Sequence, residues 1–281
     1  MKWNIYAETE AFSEKVEPLL YEREDIYSLF LGILNQIKQG KYEDYFLALA
    51  EEEEEVVGAC LMTPPHPLQL INFRDTPEIE SELSELLLEV GVQVNGIVGD
   101  RETAHRFALA WTAGTDQKAN LLMDQGLYRA DAVTAGLEKS PGTWRIASKK
   151  DAPLLEGWCL LFEAETGIKV SSAAEAARKI DAFIEGKEVY VWEVNGEVVS
   201  CMKKTRPSKR GITVSFVFTP RNHRRKGYAR TLVAEVTEEL LLEYDFAMLY
   251  TDLQNPTSNK IYQEIGFEQI ANPVHVSFVE V

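Results

Sequence analysis

The chain has 281 residues, 45% hydrophobic and 26% charged, a soluble globular composition with room for two cores. Its 29 basic and 45 acidic residues leave a formal net charge of −16, which argues against a nucleic-acid backbone or an anionic membrane surface as partner and fits a cationic amine ligand or plain solubility. Three scattered cysteines (Cys60, Cys159, Cys201) and histidines without ligand spacing point to reduced core thiols in a cytoplasmic protein with no metal; the start, MKWNIYAETE, lacks a signal segment's apolar stretch, and no run reaches membrane-spanning length.

In chain order the sequence states one plan twice. Lys2-Trp3-Asn4-Ile5 is matched by Thr143-Trp144-Arg145-Ile146, and Leu20-Tyr21-Glu22 by Leu161-Phe162-Glu163; each pair reads as a short strand running into a helix. Hairpins are expected at 45–51 with 55–62 and at 189–194 with 198–204. The second carries Asn195-Gly196, a strong hairpin turn signal. Glu55-Val56-Val57-Gly58 is matched by Glu197-Val198-Val199-Ser200. In the first half an additional helix is expected at 77–90, with Leu83, Leu86, Leu87 and Val90 on one face. A strand at 92–98 then leads through Gly99-Asp100-Arg101-Glu102-Thr103 into a helix at 104–111. Asp124-Gln125-Gly126-Leu127 echoes Glu264-Ile265-Gly266-Phe267. Ser140-Pro141-Gly142 is a breaker cluster. It sets domains at 1–138 and 143–281 with a linker at 139–142. The second domain reads as strand 144–147, helices 151–165 and 173–185 (capped by Asp151 and by Ser171-Ser172), the hairpin, a central strand, a basic loop and helix, strand 247–253, helix 258–265 and final strand 275–281.

The most informative stretch is 212–230, ITVSFVFTPRNHRRKGYAR. Ile212, Val214, Phe216 and Phe218 alternate as in a strand, and Thr219-Pro220 ends it. A basic loop runs to Gly227, after which Leu232, Val233, Val236, Leu240 and Leu241 recur at helical spacing. A strand, a tight basic loop and a helix N-terminus form an anion site, because the first helical amides lack intrahelical partners and the helix dipole favours negative charge. Gly227 admits close backbone approach, and Ala229 keeps the helix entry narrow. Arg224-x-x-Gly227-x-Ala229 resembles the acyl-CoA pyrophosphate loop, R/Q-x-x-G-x-G/A, of the GNAT N-acetyltransferase superfamily. Asn255-Pro-Thr-Ser258-Asn-Lys-Ile-Tyr262-Gln-Glu-Ile-Gly266-Phe267 resembles the second signature of that family, N-x-x-A/S-x-x-x-Y-x-x-x-G-F, in the right order.

The resemblance implies an α/β (α+β mixed sheet) fold class: two tandem GNAT-like domains, each a mixed central sheet flanked by helices. It implies acetyl-CoA as co-substrate. The amides and cations of Arg224, Arg225, Lys226, Gly227, Tyr228, Ala229 and Arg230 would hold its pyrophosphate, and the strand-end backbone of Val217, Phe218 and Thr219 would pair with the pantetheine arm. An amide at or beside Val217 would stabilise the oxyanion, in a strand the family often bulges or splays. Tyr262 matches the general acid; Asn255 matches a pantetheine contact, or is a turn residue beside Pro256. For the base, Asp252, Glu163 and Glu165 all stand open, each also readable as a solvated charge; His223 reads as a loop contact.

The first half lacks both signatures. The link 99–103 has one Gly and two carboxylates that would repel a pyrophosphate, and Leu122 stands where the second half has Tyr262. It is expected to be a degenerate copy serving in packing, in a homodimer, or in shaping the acceptor site. The expected function is N-acetyl transfer to a primary amine, on a small molecule or a peptide, by direct attack. A non-catalytic acyl-CoA sensor and an interaction protein on the same scaffold are the rivals.

Overall fold

Strands β2 (Phe46–Glu52, FLALAEE) and β3 (Glu55–Met62, EVVGACLM) are apolar at successive rather than alternate positions. Such runs call for cover on both faces of a sheet. In the computed structural model, which describes residues 1–167 and 170–280, they have it. Leu47, Leu49, Ala59 and Leu61 pack with Phe12, Val16 and Leu20 of α1 (Thr9–Glu22) and with Phe30, Leu31 and Leu34 of α2 (Ser28–Lys38). Ala48, Cys60 and Met62 turn the other way, onto Leu83 and Leu87 of α3 (Ile79–Glu89) and Phe107 and Trp111 of α4 (Arg101–Ala113).

The chain divides into two units. The first comprises Met1–Tyr128, Tyr250–Pro256 and Gln269–Val281; the second comprises Arg129–Leu249 and Thr257–Glu268. In the first, the strands besides β2 and β3 are β1 (Lys2–Ile5), β4 (Leu68–Asn72), β5 (Gly96–Gly99), β6 (Gln117–Ala130) and the C-terminal β13 (Val274–Glu280). Their order is β1-β2-β3-β4-β5-β13-β6. β4 and β5 are parallel, and β13 is antiparallel to both neighbours, with Val274↔Gly99 on one side and Val274↔Asp124 on the other. The sequence assigns everything after 143 to one domain; the structure instead seats 269 onward in the first unit. The alternation of β13 shows why it is buried there: Val274, Val276 and Phe278 face inward, and Phe278 lies 6.2 Å from both Phe107 and Trp111.

The second unit repeats the plan with β7 (Thr143–Ile146), α5 (Ala152–Thr166), α6 (Ala173–Glu185), β8 (Val189–Val194), β9 (Glu197–Thr205), β10 (Gly211–Phe218), α7 (Tyr228–Leu240), β11 (Phe246–Asp252, its last residues counted with the first unit) and α8 (Pro256–Ile265); the short β12 (Glu268–Ala271) belongs, but for Glu268, to the first unit. Its sheet runs β7-β8-β9-β10-β11, antiparallel except for the β10–β11 pair. The repeat extends to fine detail. Trp3 pairs with Ala50 and Trp144 with Trp192, and the register shifts immediately after that point in both hairpins.

The parallel pairs fix which segments correspond, and three expectations change. α3 joins β4 to β5 as α7 joins β10 to β11, so the helix at 77–90 is the counterpart of α7, not an addition. The counterpart of the basic loop is therefore 73–78; the link 99–103 precedes α4, with Asp100 capping that helix by accepting from the Glu102 and Thr103 amides. Leu122 and Gly126 lie inside β6, whereas Tyr262 lies in α8 and Gly266 follows it, so those pairings do not hold. β12, a short polar strand that pairs with β6, was not expected from the sequence.

Candidate active site

β10 begins as a regular strand and ends as an irregular one. Its parallel ladder with β11 covers only Gly211–Thr213. On the other side Ser215 pairs with Lys203 and Phe218 with Cys201, so β10 has one residue more than β9 in that interval. Phe216 sits at φ +48°, a left-handed value that costs roughly 1 kcal/mol or more for a residue with a side chain. Packing holds it there: the Phe216 ring meets Phe162 edge-on at 5.3 Å, and Phe218 meets Trp158 at 5.8 Å. The bulge leaves Phe216 and Val217 without a partner position in either neighbouring strand. Thr219 follows, its hydroxyl 2.8 Å from that of the fully buried Ser200.

The chain then makes a single 3₁₀ turn, Arg221–His223, and reaches Gly227 at φ +76°, the residue before α7. Arg225 is also left-handed, at +63°. These reversals turn the loop so that the amides of residues 225–230 have no acceptor among the described residues. Gly227 is required for two reasons: its φ, and the Ser140 Oγ that would lie 2.6 Å from any added Cβ. Arg225 and Lys226 are exposed. Arg224 is held, its Nε donating to the Thr219 carbonyl at 2.7 Å and its Nη2 to Glu165 at 2.6 Å. Arg230 donates to Glu264 and to the Glu138 carbonyl. Lys139, Arg225, Lys226, Gly227, Arg230 and Glu264 help to line an open depression of about 410 Å³ beside the loop. The arrangement is a cradle for a polyanion: free amides, a helix dipole and exposed cations on one turn.

Tyr262, on α8, is half-buried with its ring edge-on to Phe267 at 6.1 Å. Burial pushes its hydroxyl up to about 12, so it is protonated at neutral pH, and it has no hydrogen-bond partner among the described residues. Phe267 is core. Asp252 and Asn255 stand in the stretch Tyr250–Pro256, which groups with the first unit. There Asp252 Oδ1 accepts from the Gln254 amide at 2.8 Å and its carbonyl from the Asn255 amide at 3.0 Å, a turn at the end of β11. Of the other carboxylates, Glu163 is a buried tie: its oxygens accept from Lys179, the Ser171 amide and the Ser171 hydroxyl. Burial would raise its pKa, but Lys179 and Ser171 outweigh that and hold it below the ordinary value. Glu165 is engaged by Arg221 and Arg224, and His223 lies 3.2 Å from Glu197. Glu165 thus braces the basic loop and His223 ties it to β9, whereas Glu163 ties α5 to the start of α6. Ser140 and Thr231 hold the loop from outside; in the sequence Ser140 signals only a break, and Thr231 nothing.

Residues 196–276, from β9 into β13, match the family described as FR47-like protein. No curated protein sequence matches the chain. Among solved structures, a GNAT-family acetyltransferase from Colwellia psychrerythraea aligns with a TM-score of 0.61 at 14% identity, over 99% of this chain and 100% of its own. A GCN5-related N-acetyltransferase from Sphaerobacter thermophilus aligns at 0.65 and 14%, over 99% and 96%. A tandem GNAT protein from the clavulanic acid biosynthesis pathway aligns at 0.55 and 11%, over 99% and 98%. The chain is a tandem GNAT fold. In this fold the basic loop, the bulged strand before it and Tyr262 all fall within the matched segment. No helix among the described residues is long and apolar enough to cross a membrane, and no group of three or more His, Cys, Asp or Glu among them could hold a metal ion.

Proposed function

We propose that the protein is an acetyl-CoA-dependent N-acetyltransferase acting on a primary amine, on a small molecule or a peptide. The observation that carries the reading is the run of acceptor-free amides at 225–230, turned outward by Gly227 next to a bulged strand end. Amides of the loop hold the pyrophosphate, with Arg225 and Lys226 adding charge, and the backbone of Val217, Phe218 and Thr219 pairs with the pantetheine amides. A strand-end amide near Val217 polarises the thioester carbonyl and takes up oxyanion charge.

The acceptor nitrogen forms the new C–N bond as the C–S bond breaks. Asp252 takes the proton from the amine, and Tyr262 hydrogen-bonds to the leaving sulfur and supplies its proton. A phenol at about 12 is a weak acid, so its proton moves only to a thiolate that the site itself has stripped of water. Asn255 contacts the pantetheine arm.

The 73–78 loop of the first copy is built differently. There the Thr76 amide is taken by the Asn72 side chain, Arg74 is tied to Glu55, and the exposed Asp75 and Glu78 would repel a pyrophosphate. We read it as a degenerate copy. Its Cys60 and the second unit's Cys159 and Cys201 are free and buried, which suits a reducing cytoplasm.

Calorimetric titration of acetyl-CoA is expected to give one site per chain, lost in Gly227→Asp, and an amine panel is expected to drive release of free CoA thiol. Binding without release on any amine would favour the sensor; no binding at all would sink the enzyme reading.

A further inference from the structure

We infer that Ser140, in the linker ahead of β7, is a positioning residue for the acyl-CoA loop, clamping the Lys226–Gly227 peptide from behind. The inference rests on the donor-site reading above. Three hydrogen bonds carry it. Ser140 Oγ donates to the Lys226 carbonyl at 2.8 Å, the Ser140 amide donates to Thr231 Oγ1 at 3.0 Å, and Thr231 Oγ1 donates to the Gly227 carbonyl at 3.2 Å. The Thr231 amide donates to the same Gly227 carbonyl at 3.0 Å. Serine and threonine together thus hold the carbonyls on both sides of Gly227.

In a trans peptide the carbonyl and the following N–H point in opposite directions. Fixing the Lys226 carbonyl toward Ser140 therefore fixes the Gly227 N–H away from it, toward the open side of the loop. Gly227 has the widest backbone freedom of any residue type, so without the clamp its amide would sample orientations that the ligand must then select against. The rest of the linker anchors Ser140. Lys139 pairs with Glu235 at 3.1 Å, the Glu138 carbonyl accepts from Arg230 at 3.1 Å, and the Pro141 carbonyl accepts from Trp192 Nε1 at 3.0 Å. Ser140 is half-buried and Thr231 buried; the two bonds of Thr231 Oγ1 are part-buried and the Ser140 Oγ bond is exposed, so it is the ring as a whole that holds the peptide. A segment that reads as a spacer between repeats is in this way a structural part of the donor site.

The test is Ser140→Ala, with Ser140→Thr as the variant that keeps the hydroxyl and Thr231→Val as an independent break in the same ring. Ser140→Ala is expected to weaken acetyl-CoA binding about fivefold, the loss typical of one hydrogen bond. Turnover at saturating acetyl-CoA should stay within about twofold of the parent, and Ser140→Thr should restore affinity. Amide hydrogen exchange should quicken at Ser140 and Thr231, whose N–H groups are bonded within the ring, in both Ser140→Ala and Thr231→Val and nowhere in β8 or β9. If Ser140→Ala binds acetyl-CoA like the parent, with unchanged exchange at positions 140 and 231, the clamp is wrong. If the parent itself binds no acetyl-CoA, the donor-site reading fails, and the exchange result alone still decides whether the clamp exists.

Discussion

Tyr262 has its hydroxyl without a partner and its pKa pushed up to about 12 by burial, a combination that suits a donor waiting for an acceptor. Tyr262→Phe is expected to leave the acetyl-CoA dissociation constant unchanged and to lower kcat by about a hundredfold, the low end for a general acid because the phenol is a weak one. Rapid-quench turnover on a good acceptor checks it; undiminished kcat would remove the assignment. A second residue-scale prediction concerns stability. Arg145 makes two hydrogen bonds to Asp151, at 2.8 and 2.9 Å, and the Ser148 amide and hydroxyl add two more; together they pull the Asp151 carboxyl from 3.8 to about 2. A depressed carboxylate stabilises the fold fully above its unfolded value and loses that contribution as pH falls through the folded one. About 2 kcal/mol should therefore disappear between pH 4 and pH 2. Asp151→Asn should cost somewhat less than this at neutral pH, because the part-exposed Arg145 keeps its 2.8 Å bond to Glu193, and should flatten that part of the profile in urea titrations.

The two hairpins show what local sequence can and cannot announce. Asn195-Gly196 turns with φ of +52° and +82°, as its sequence signals. The first hairpin turns the same way at Glu53 (φ +50°) and Glu54 (φ +71°), with two glutamates in a conformation that L residues avoid. Replacing Glu53-Glu54 by Asn-Gly is expected to raise stability by about 1–2 kcal/mol, seen as a higher midpoint in urea at constant slope. An unchanged midpoint would mean that the turn is not strained. The shape of the basic loop is legible because its features are local: a strand end, a glycine forced by φ, a run of cations. The bulge was not, since Val217 continues the pattern of a good strand and nothing in Phe216 hints at φ +48°. The link 99–103 drew the wrong comparison because β4–α3 and β5–α4 are both short strand-to-helix connections; only the parallel pairing of β4 with β5 shows which one matches β10–α7. Glu163 looked like a candidate base because its exposure, not its sequence, sets its role.

Pairing across the whole chain lies further beyond local reading. The period of β13 states which residues are buried, and the strand expected at 275–281 is found at Val274–Glu280, residue 281 lying outside the described residues, but nothing in a two-residue alternation says which sheet receives it. The structure gives the C-terminal strand to the first unit, between β5 and β6, where Gly96 lets the backbones close: a Cβ there would lie 2.5 Å from the Val276 carbonyl oxygen. The first unit therefore cannot complete its sheet from residues 1–138. Deleting residues 272–281 removes the ladders to Gly96–Gly99 and Gln117–Asp124 and takes Val274, Val276 and Phe278 out of the core. Burying three such side chains contributes about 4–9 kcal/mol, as large as the entire stability of many domains. The shortened chain is expected to lose hydrogen-exchange protection in β5 and β6, to expose the Phe107 and Trp111 rings, and to retain protection in β8 and β9. The milder Phe278→Ala should lower stability by about 3–5 kcal/mol, with the same division between the sheets. Full protection of β5 and β6 in the shortened chain would show that the first unit closes its sheet without β13, and its dependence on the far end of the chain would have to be abandoned.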